Sequence, residues 1–223
     1  MLTKIFQIAT FGTLCADNIL TGLKIYPSQK LALICYDHDN TNAKRFVKVI
    51  RSIDENIEVI VCLTPRQNII ENVFRHFGRV VGSEINRFQR ILVNVSSGDK
   101  FLSYAVLSAA YIKGIETFMI NSNSSNSLVV IPIPKFYYDR IITKTNLRIL
   151  NSIARAGGEV YGLDRLQQIS GLMKPLLSYH MNGRDSTKGL IDLGLVWVEN
   201  KRYKNGTIVI VRLTATGKLF VTK

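Results

Sequence analysis

Apolar residues in the first part of the chain gather into short, nearly continuous runs: "KIFQIATF" (4 to 11), "KLALICY" (30 to 36), "IEVIVCL" (57 to 63), "RILVNV" (90 to 95) and "ETFMIN" (116 to 121). Runs of this length without alternation predict strands covered on both faces. Between them the period changes. Ala43, Phe46, Val47, Ile50 and Ile53 recur at helical spacing, as do Leu102, Ala105, Val106 and Ala109. A repeated strand-helix pattern predicts an α/β fold, an open, mostly parallel Rossmann-like sheet with right-handed crossovers. "SLVVIPIP" (127 to 134) reads as an edge strand, because its prolines fit a sheet margin better than a centre.

The alternation stops near "PKFYYDR" (134 to 140), which divides the chain into domains 1–136 and 137–223. In the second, "TKTNLRILNSIARAGG" (143 to 158) predicts a helix with Leu147, Leu150 and Ile153 or Ala154 inward. "GLDRLQQISG" (162 to 171) predicts a second helix closed by Gly171. Residues 174 to 194 follow, interrupted by Asn182-Gly183. Then Asn205-Gly206 joins two β-rich segments, 195 to 201 and 207 to 213, as a hairpin. Helix, helix, helical region, hairpin is the order of a winged helix-turn-helix. A helical subdomain used only for dimer contact would share that order.

Charge favours DNA. Lysine and arginine number 29 against 16 aspartates and glutamates, a net charge of +13 and a pI near 9.8. Residues 139 to 223 hold 14 basic against 6 acidic side chains, so the smaller domain is the more basic. Its predicted DNA contacts are Ser178, Tyr179, His180, Asn182, Arg184, Ser186, Thr187 and Lys188, with Arg184 and Lys188 foremost. Lys201, Arg202 and Lys204 on the hairpin are placed to follow phosphates. His180 serves equally as a packing or phosphate contact or as a base reader.

Chemistry in the first domain centres on "NVSSGDK" (94 to 100), where a strand ends in small polar residues just before a helix. Backbone N–H groups, a helix dipole and Lys100 then converge on one spot suited to phosphate. An ordinary turn with Asp99 or Ser97 as N-cap and Lys100 in solvent is the plain alternative. The first strand also ends in a small polar turn, Thr10, Phe11 and Gly12, and both turns lie beyond strand carboxyl ends, where open α/β sheets bind ligands. Gly12 and Gly98 permit close backbone approach, and Phe11 offers a ring to stack a base. The sequence has no GxGxxG after the first strand, no GxxxxGK[ST] loop and no GxSxG elbow, which sets aside dinucleotide oxidoreductase, P-loop ATPase and serine hydrolase.

Cys15, Cys35 and Cys62 are scattered in or beside apolar stretches and read as reduced core residues. His38, His76 and His180 lack metal-ligand spacing, so no metal or other cofactor is expected. The polar interruptions Gln7, Thr10 and Thr13 make the N-terminus a first buried strand rather than a secretion signal, and no apolar run suffices for a membrane span. A soluble, cytoplasmic protein is expected.

A Rossmann-like domain with a strand running into "NVSSGDKFLSYAVLSAA", joined to a C-terminal winged helix containing "LSYHMNG" and "GLIDLGLV", resembles the archaeal CRISPR-associated transcriptional regulators with a CARF domain. The resemblance covers essentially the whole chain. It implies a homodimer that binds cyclic oligoadenylate, commonly cyclic tetra-adenylate, in a pocket shared across a two-fold axis, and that binds double-stranded DNA through the winged helix. Asn94, Ser96, Ser97, Gly98, Asp99 and Lys100 would hold the ligand from one side, and Thr10, Phe11 and Gly12 from the other. Some CARF domains cleave their cyclic ligand, a ring nuclease alternative in which Ser96, Ser97 and Lys100 would act without metal. A third reading is a DNA-binding protein whose Rossmann-like half only dimerises.

Overall fold

A computed structural model describes residues 3–121, 128–132, 141–184, 187–203 and 206–221. The contacts within the chain divide it into two compact units, Met1–Tyr137 and Tyr138–Lys223.

The first unit is built on a six-stranded sheet of β1 (Ile5–Thr10), β2 (Lys30–Tyr36), β3 (Glu58–Thr64), β4 (Arg90–Asn94), β5 (Thr117–Ile120) and β6 (Leu128–Ile131), in the order β3-β2-β1-β4-β5-β6. All neighbours pair in parallel except β5 and β6, which are antiparallel, so the predicted margin strand is indeed at the margin. This is a Rossmann-like arrangement. Every residue of β1 and β2 is buried, as strands covered on both faces must be. At the other margin, β3 is mostly half-buried.

Burying β1 whole includes its polar side chains. Gln7 Nε2 donates to Ser28 Oγ (3.2 Å) and to the carbonyl of Tyr26 (3.4 Å). Thr10 donates across to the turn after β4. Helices α1 (Asp17–Ile25), α2 (Asn40–Ile53), α3 (Ile69–Glu84) and α4 (Lys100–Lys113) cover the sheet. On α2 the inner face is Ala43, Phe46 and Ile50, with Val47 half-buried. Ile53, predicted inward, is 63% exposed at the end of the helix, on the rim of a cleft shared with Leu20 and Leu23 of α1. Beneath the sheet's opposite end, buried Lys30 bridges Glu58 (2.6 Å) and buried Glu84 (3.0 Å). Burial alone would lower its pKa, but the two carboxylates outweigh that and hold it above the ordinary lysine value.

The second unit runs α5 (Lys144–Arg155), β7 (Glu159–Tyr161), α6 (Leu163–Ser170), α7 (Lys174–Asn182), a two-residue-stranded ribbon β8 (Gly183–Arg184) and β9 (Thr187–Lys188), β10 (Val196–Tyr203), β11 (Gly206–Leu213) and α8 (Ala215–Leu219). β10, β11 and β7 form one antiparallel sheet. The buried face of α5 is Asn146, Ile149, Leu150 and Ile153. Leu147, predicted inward, is only half-buried, because the inward stripe is centred on Ile149 and Ile153. Thr143 caps this helix by accepting from Asn146 N–H (3.1 Å).

Candidate functional site

The order of the parallel strands reverses between β1 and β4, and the two polar turns identified in the sequence follow those two strands. Most of the polar side chains there hold the turns in place. Ser97, 1% exposed, accepts from Gly12 N–H (3.0 Å) and donates to the Gly12 carbonyl (2.9 Å). Thr10, fully buried, donates to the Ser97 carbonyl. Asn94, also fully buried, accepts from both the backbone N–H (3.0 Å) and the hydroxyl of Ser96, and donates to the Asn18 carbonyl of α1 (3.3 Å). Ser96 Oγ accepts from Ile120 N–H of β5 (2.6 Å).

The expectation that Thr10, Asn94, Ser96 and Ser97 present side chains to a ligand is therefore corrected: their hydrogen-bonding groups engage the protein. Buried polar groups need partners, and these partners are one another's turns. The glycines are corrected too. A Cβ on Gly12 would lie 2.7 Å from Gly98 Cα, so the close approach that Gly12 permits is to the backbone of Gly98. Phe11 offers little ring surface for a base. It is 1% exposed and packs on Phe46, ring centroids 5.3 Å apart, within the core beneath α2.

Beside the joined turns opens a cleft of about 300 Å³ lined by Phe11, Gly12, Thr13, Leu14, Cys15, Tyr36, His38, Asp39, Arg66, Gly98 and Asp99. Gly98 has a φ of +85° and is exposed. Asp99 is the N-cap of α4 and accepts from Leu102 N–H (2.8 Å). It also accepts from the Tyr36 hydroxyl (2.9 Å) and Arg66 Nη2 (3.3 Å). Burial would raise its pKa, but these three donors outweigh burial and hold it below the usual carboxylate value. The helix terminus expected to receive a phosphate thus already receives a carboxylate. The positive charge in the cleft lining is the Arg66 guanidinium, paired with Asp99, and the exposed Lys100 follows Asp99 in the chain.

Thr13, Leu14, Cys15, Tyr36, His38, Asp39 and Arg66 line the cleft and were missed from the sequence. Arg66 follows β3, with its guanidinium 5.3 Å from the centroid of the Tyr36 ring. Tyr36 ends β2, and His38 stacks on it at 5.4 Å with an interplanar angle of 16°. The rule that singled out the turns after β1 and β4 applies equally to "YDHD" and "TPR", which follow β2 and β3. Burial raises the thiol of Cys35, a core residue, to about 12 and that of half-buried Cys62 to about 11. Cys15, by contrast, is exposed and lines the cleft, a correction to its reading as a core residue. Among the described residues no cluster of three or more His, Cys, Asp or Glu side chains is placed to hold a metal ion. No helix among them is long and apolar enough to cross a membrane.

In the second unit the predicted DNA contacts fall on three elements. Ser178, Tyr179 and Asn182 are exposed on α7, where Asn182 Nδ2 donates to the Ser178 carbonyl (3.1 Å). His180 is a packing residue: its Nδ1 lies 2.5 Å from Oδ1 of buried Asn146 on α5, and burial lowers its pKa. Arg184, Thr187 and Lys188 are exposed on the β8–β9 ribbon rather than on a helix. The ribbon turns there because Gly183 and Gly189 pack backbone to backbone; a Cβ on Gly189 would lie 2.3 Å from Gly183 N. Lys201 and Arg202 are exposed on β10. Ser186 and Lys204 lie outside the described residues.

No protein-family model matches the chain. A protein of Archaeoglobus fulgidus, described only as uncharacterized, is 25% identical over 207 residues, which covers 88% of this chain and 87% of that protein. Among solved structures the chain is similar to Enterococcus italicus Csm6 bound to cyclic hexa-2'-fluoro-hexa-dAMP (12% identity, TM-score 0.49, 75% of this chain and 50% of that one). It is also similar to Can2 from Sulfobacillus thermosulfidooxidans in complex with cyclic tetra-adenylate (13%, TM-score 0.44, 96% and 60%). A third is protein VC1899 from Vibrio cholerae (13%, TM-score 0.48, 97% and 64%). The chain spans between half and two thirds of the length of these three structures.

Proposed function

We propose that the first unit is a sensor for cyclic oligoadenylate, cyclic tetra-adenylate in particular, and that the second is a winged helix-turn-helix that binds duplex DNA. The sensor reading is carried by one observation: the cleft adjoins the joined turns where the strand order reverses, with Arg66 in its lining, exposed Lys100 next in the chain after lining Asp99, and a Tyr36–His38 stack in its wall. Cations there suit phosphates, and the aromatic wall suits a base. The ligand class comes from the resemblance of "NVSSGDK" to the CARF motif.

A ring of four nucleotides exceeds a cleft of about 300 Å³, so one chain supplies half of the pocket and a second copy, related by a two-fold axis, supplies the rest. Leu14, fully exposed at the cleft, and Phe101 and Tyr104, 71% and 62% exposed on α4, are the apolar groups such a pairing would cover. In the second unit α6 and α7 form the helix-turn-helix, α7 enters the major groove, and the β10–β11 hairpin is the wing. The protein is on this reading a CRISPR-associated transcriptional regulator. Ligand and DNA each change the other's affinity by the same factor.

Calorimetric titration with cyclic tetra-adenylate should give one ring per two chains, with binding weakened by Lys100→Ala. No binding to wild-type protein overturns the sensor reading and leaves a basic DNA-binding dimer. Chromatography of the titrated ligand after hours in EDTA distinguishes sensing from cleavage: linear oligoadenylate would assign the ring nuclease activity instead.

A further inference from the structure

One feature of the second unit lies outside the α7, ribbon and wing contacts. Helix α5, "KTNLRILNSIAR", contains no acidic residue, and its Lys144, Arg148, Asn151 and Arg155 are spaced four, three and four apart. At about 100° per residue these four fall within a stripe roughly 60° wide, on one side of the helix. The stripe forms a wall of a groove of about 660 Å³ whose opposite wall is the end of α6 and Gly171. All three cations are exposed, and among the described residues none is ion-paired. The carboxylates of Glu159 and Glu199 are taken by Arg212, and that of Asp164 by Lys174.

The groove is also preformed. Ser152 Oγ donates to the Arg148 carbonyl (2.8 Å) and to the Ile169 carbonyl of α6 (3.4 Å), which ties the two walls together. Gly171, at φ +65°, ends α6 and leaves room for Arg148: a Cβ there would lie 2.6 Å from Arg148 Nη2. A concave surface with three uncompensated cations and a fixed floor is built for a chain of phosphates, not for a single anion. From Lys144 to Arg155 the helix rises about 16 Å, a length over which duplex DNA presents one negative charge about every 1.7 Å.

We propose that the α5 groove is a second, sequence-independent DNA contact, in which Lys144, Arg148 and Arg155 each meet a backbone phosphate. The inference rests on the reading that the second unit binds DNA. Its test is the salt dependence of binding by the full chain to a labelled duplex of about 30 base pairs, compared with a Lys144→Gln, Arg148→Gln, Arg155→Gln variant. Each lost phosphate contact lowers the slope of log K against log salt by about 0.9, so the triple variant should lose about 2 to 3 from the slope, equally for unrelated sequences. A charge-keeping variant, Lys144→Arg, Arg148→Lys, Arg155→Lys, should retain the wild-type slope. If the triple variant fails to fold, Arg155→Gln alone should lower the slope by about 0.9. An unchanged slope in the neutral variant, or loss of slope in the charge-keeping one, overturns the groove as a phosphate contact while leaving DNA binding standing. A wild-type chain that binds no duplex overturns the DNA reading and this inference with it.

Discussion

Replacing Gly12 with alanine asks whether the turns after β1 and β4 are one packed unit. Gly12 has φ −151° and ψ 146°, an extended backbone that alanine adopts freely, so the substitution acts through space alone. Its Cβ would lie 2.7 Å from Gly98 Cα and 2.9 Å from Gly98 N, and backbone atoms cannot rotate aside. Reaching ordinary contact at 3.4 Å would move the turns apart by roughly 0.7 Å, which strains both Ser97–Gly12 hydrogen bonds at 2.9 and 3.0 Å. Overpacking costs about 1–3 kcal/mol and each of the two hydrogen bonds about 1 kcal/mol, so the expected loss is about 3–5 kcal/mol. Urea denaturation followed by far-UV circular dichroism measures it. Tryptophan emission would not serve, since the single tryptophan, Trp197, lies in the second unit. Gly114→Ala is the control: φ is +64° with nothing within 4 Å, so it costs about 1–2 kcal/mol through backbone strain and leaves the cleft intact. A Gly12→Ala protein within about 0.5 kcal/mol of wild type, binding cyclic tetra-adenylate normally, would refute the account of the turns.

Arg66→Ala should weaken cyclic tetra-adenylate binding roughly tenfold or more in calorimetry, the scale of one hydrogen bond to a charged group, and unchanged affinity would remove Arg66 from the site. Lys30→Met leaves buried Glu84 with only the exposed Arg87 as its ionic partner and should cost about 1–3 kcal/mol in urea denaturation, whereas an effect within about 0.5 kcal/mol would make the pair dispensable. The depressed pKa of Asp99 predicts a contribution to stability that is complete above its unfolded value near 3.8 and is lost as pH falls through the lower folded value. Asp99→Asn should therefore flatten the stability profile below about pH 4, and superimposable profiles would count against the Tyr36–Arg66–Asp99 cluster.

Much of the architecture was legible because local pattern reports burial. The uninterrupted apolar runs at β1 and β2 belong to strands with every residue buried, and the prolines after "LVVI" placed β6 at an edge. Period alone also found the α4 face, since Leu102, Ala105, Val106 and Ala109 are all fully buried. Where the pattern was shifted, as at Leu147 and Ile53, the cause lies in which neighbour the helix meets, which no single helix records. The ribbon at Gly183 was beyond reach for the same reason, because its turn depends on contact with Gly189.

The site divides along the same line. The sequence by itself determined that small polar residues and glycines end β1 and β4 and that Lys100 begins α4, because strand ends, glycine and capping residues leave local marks. It could not determine what those residues face. Only the tertiary structure brought Gly12 within contact of Gly98, turned Asn94, Ser96, Ser97 and Thr10 into braces, buried Phe11 against Phe46, and gathered Arg66, Tyr36 and His38 from the ends of two other strands around Asp99. A side chain's role depends on the groups within a few ångströms of it, and here those groups lie far away along the chain.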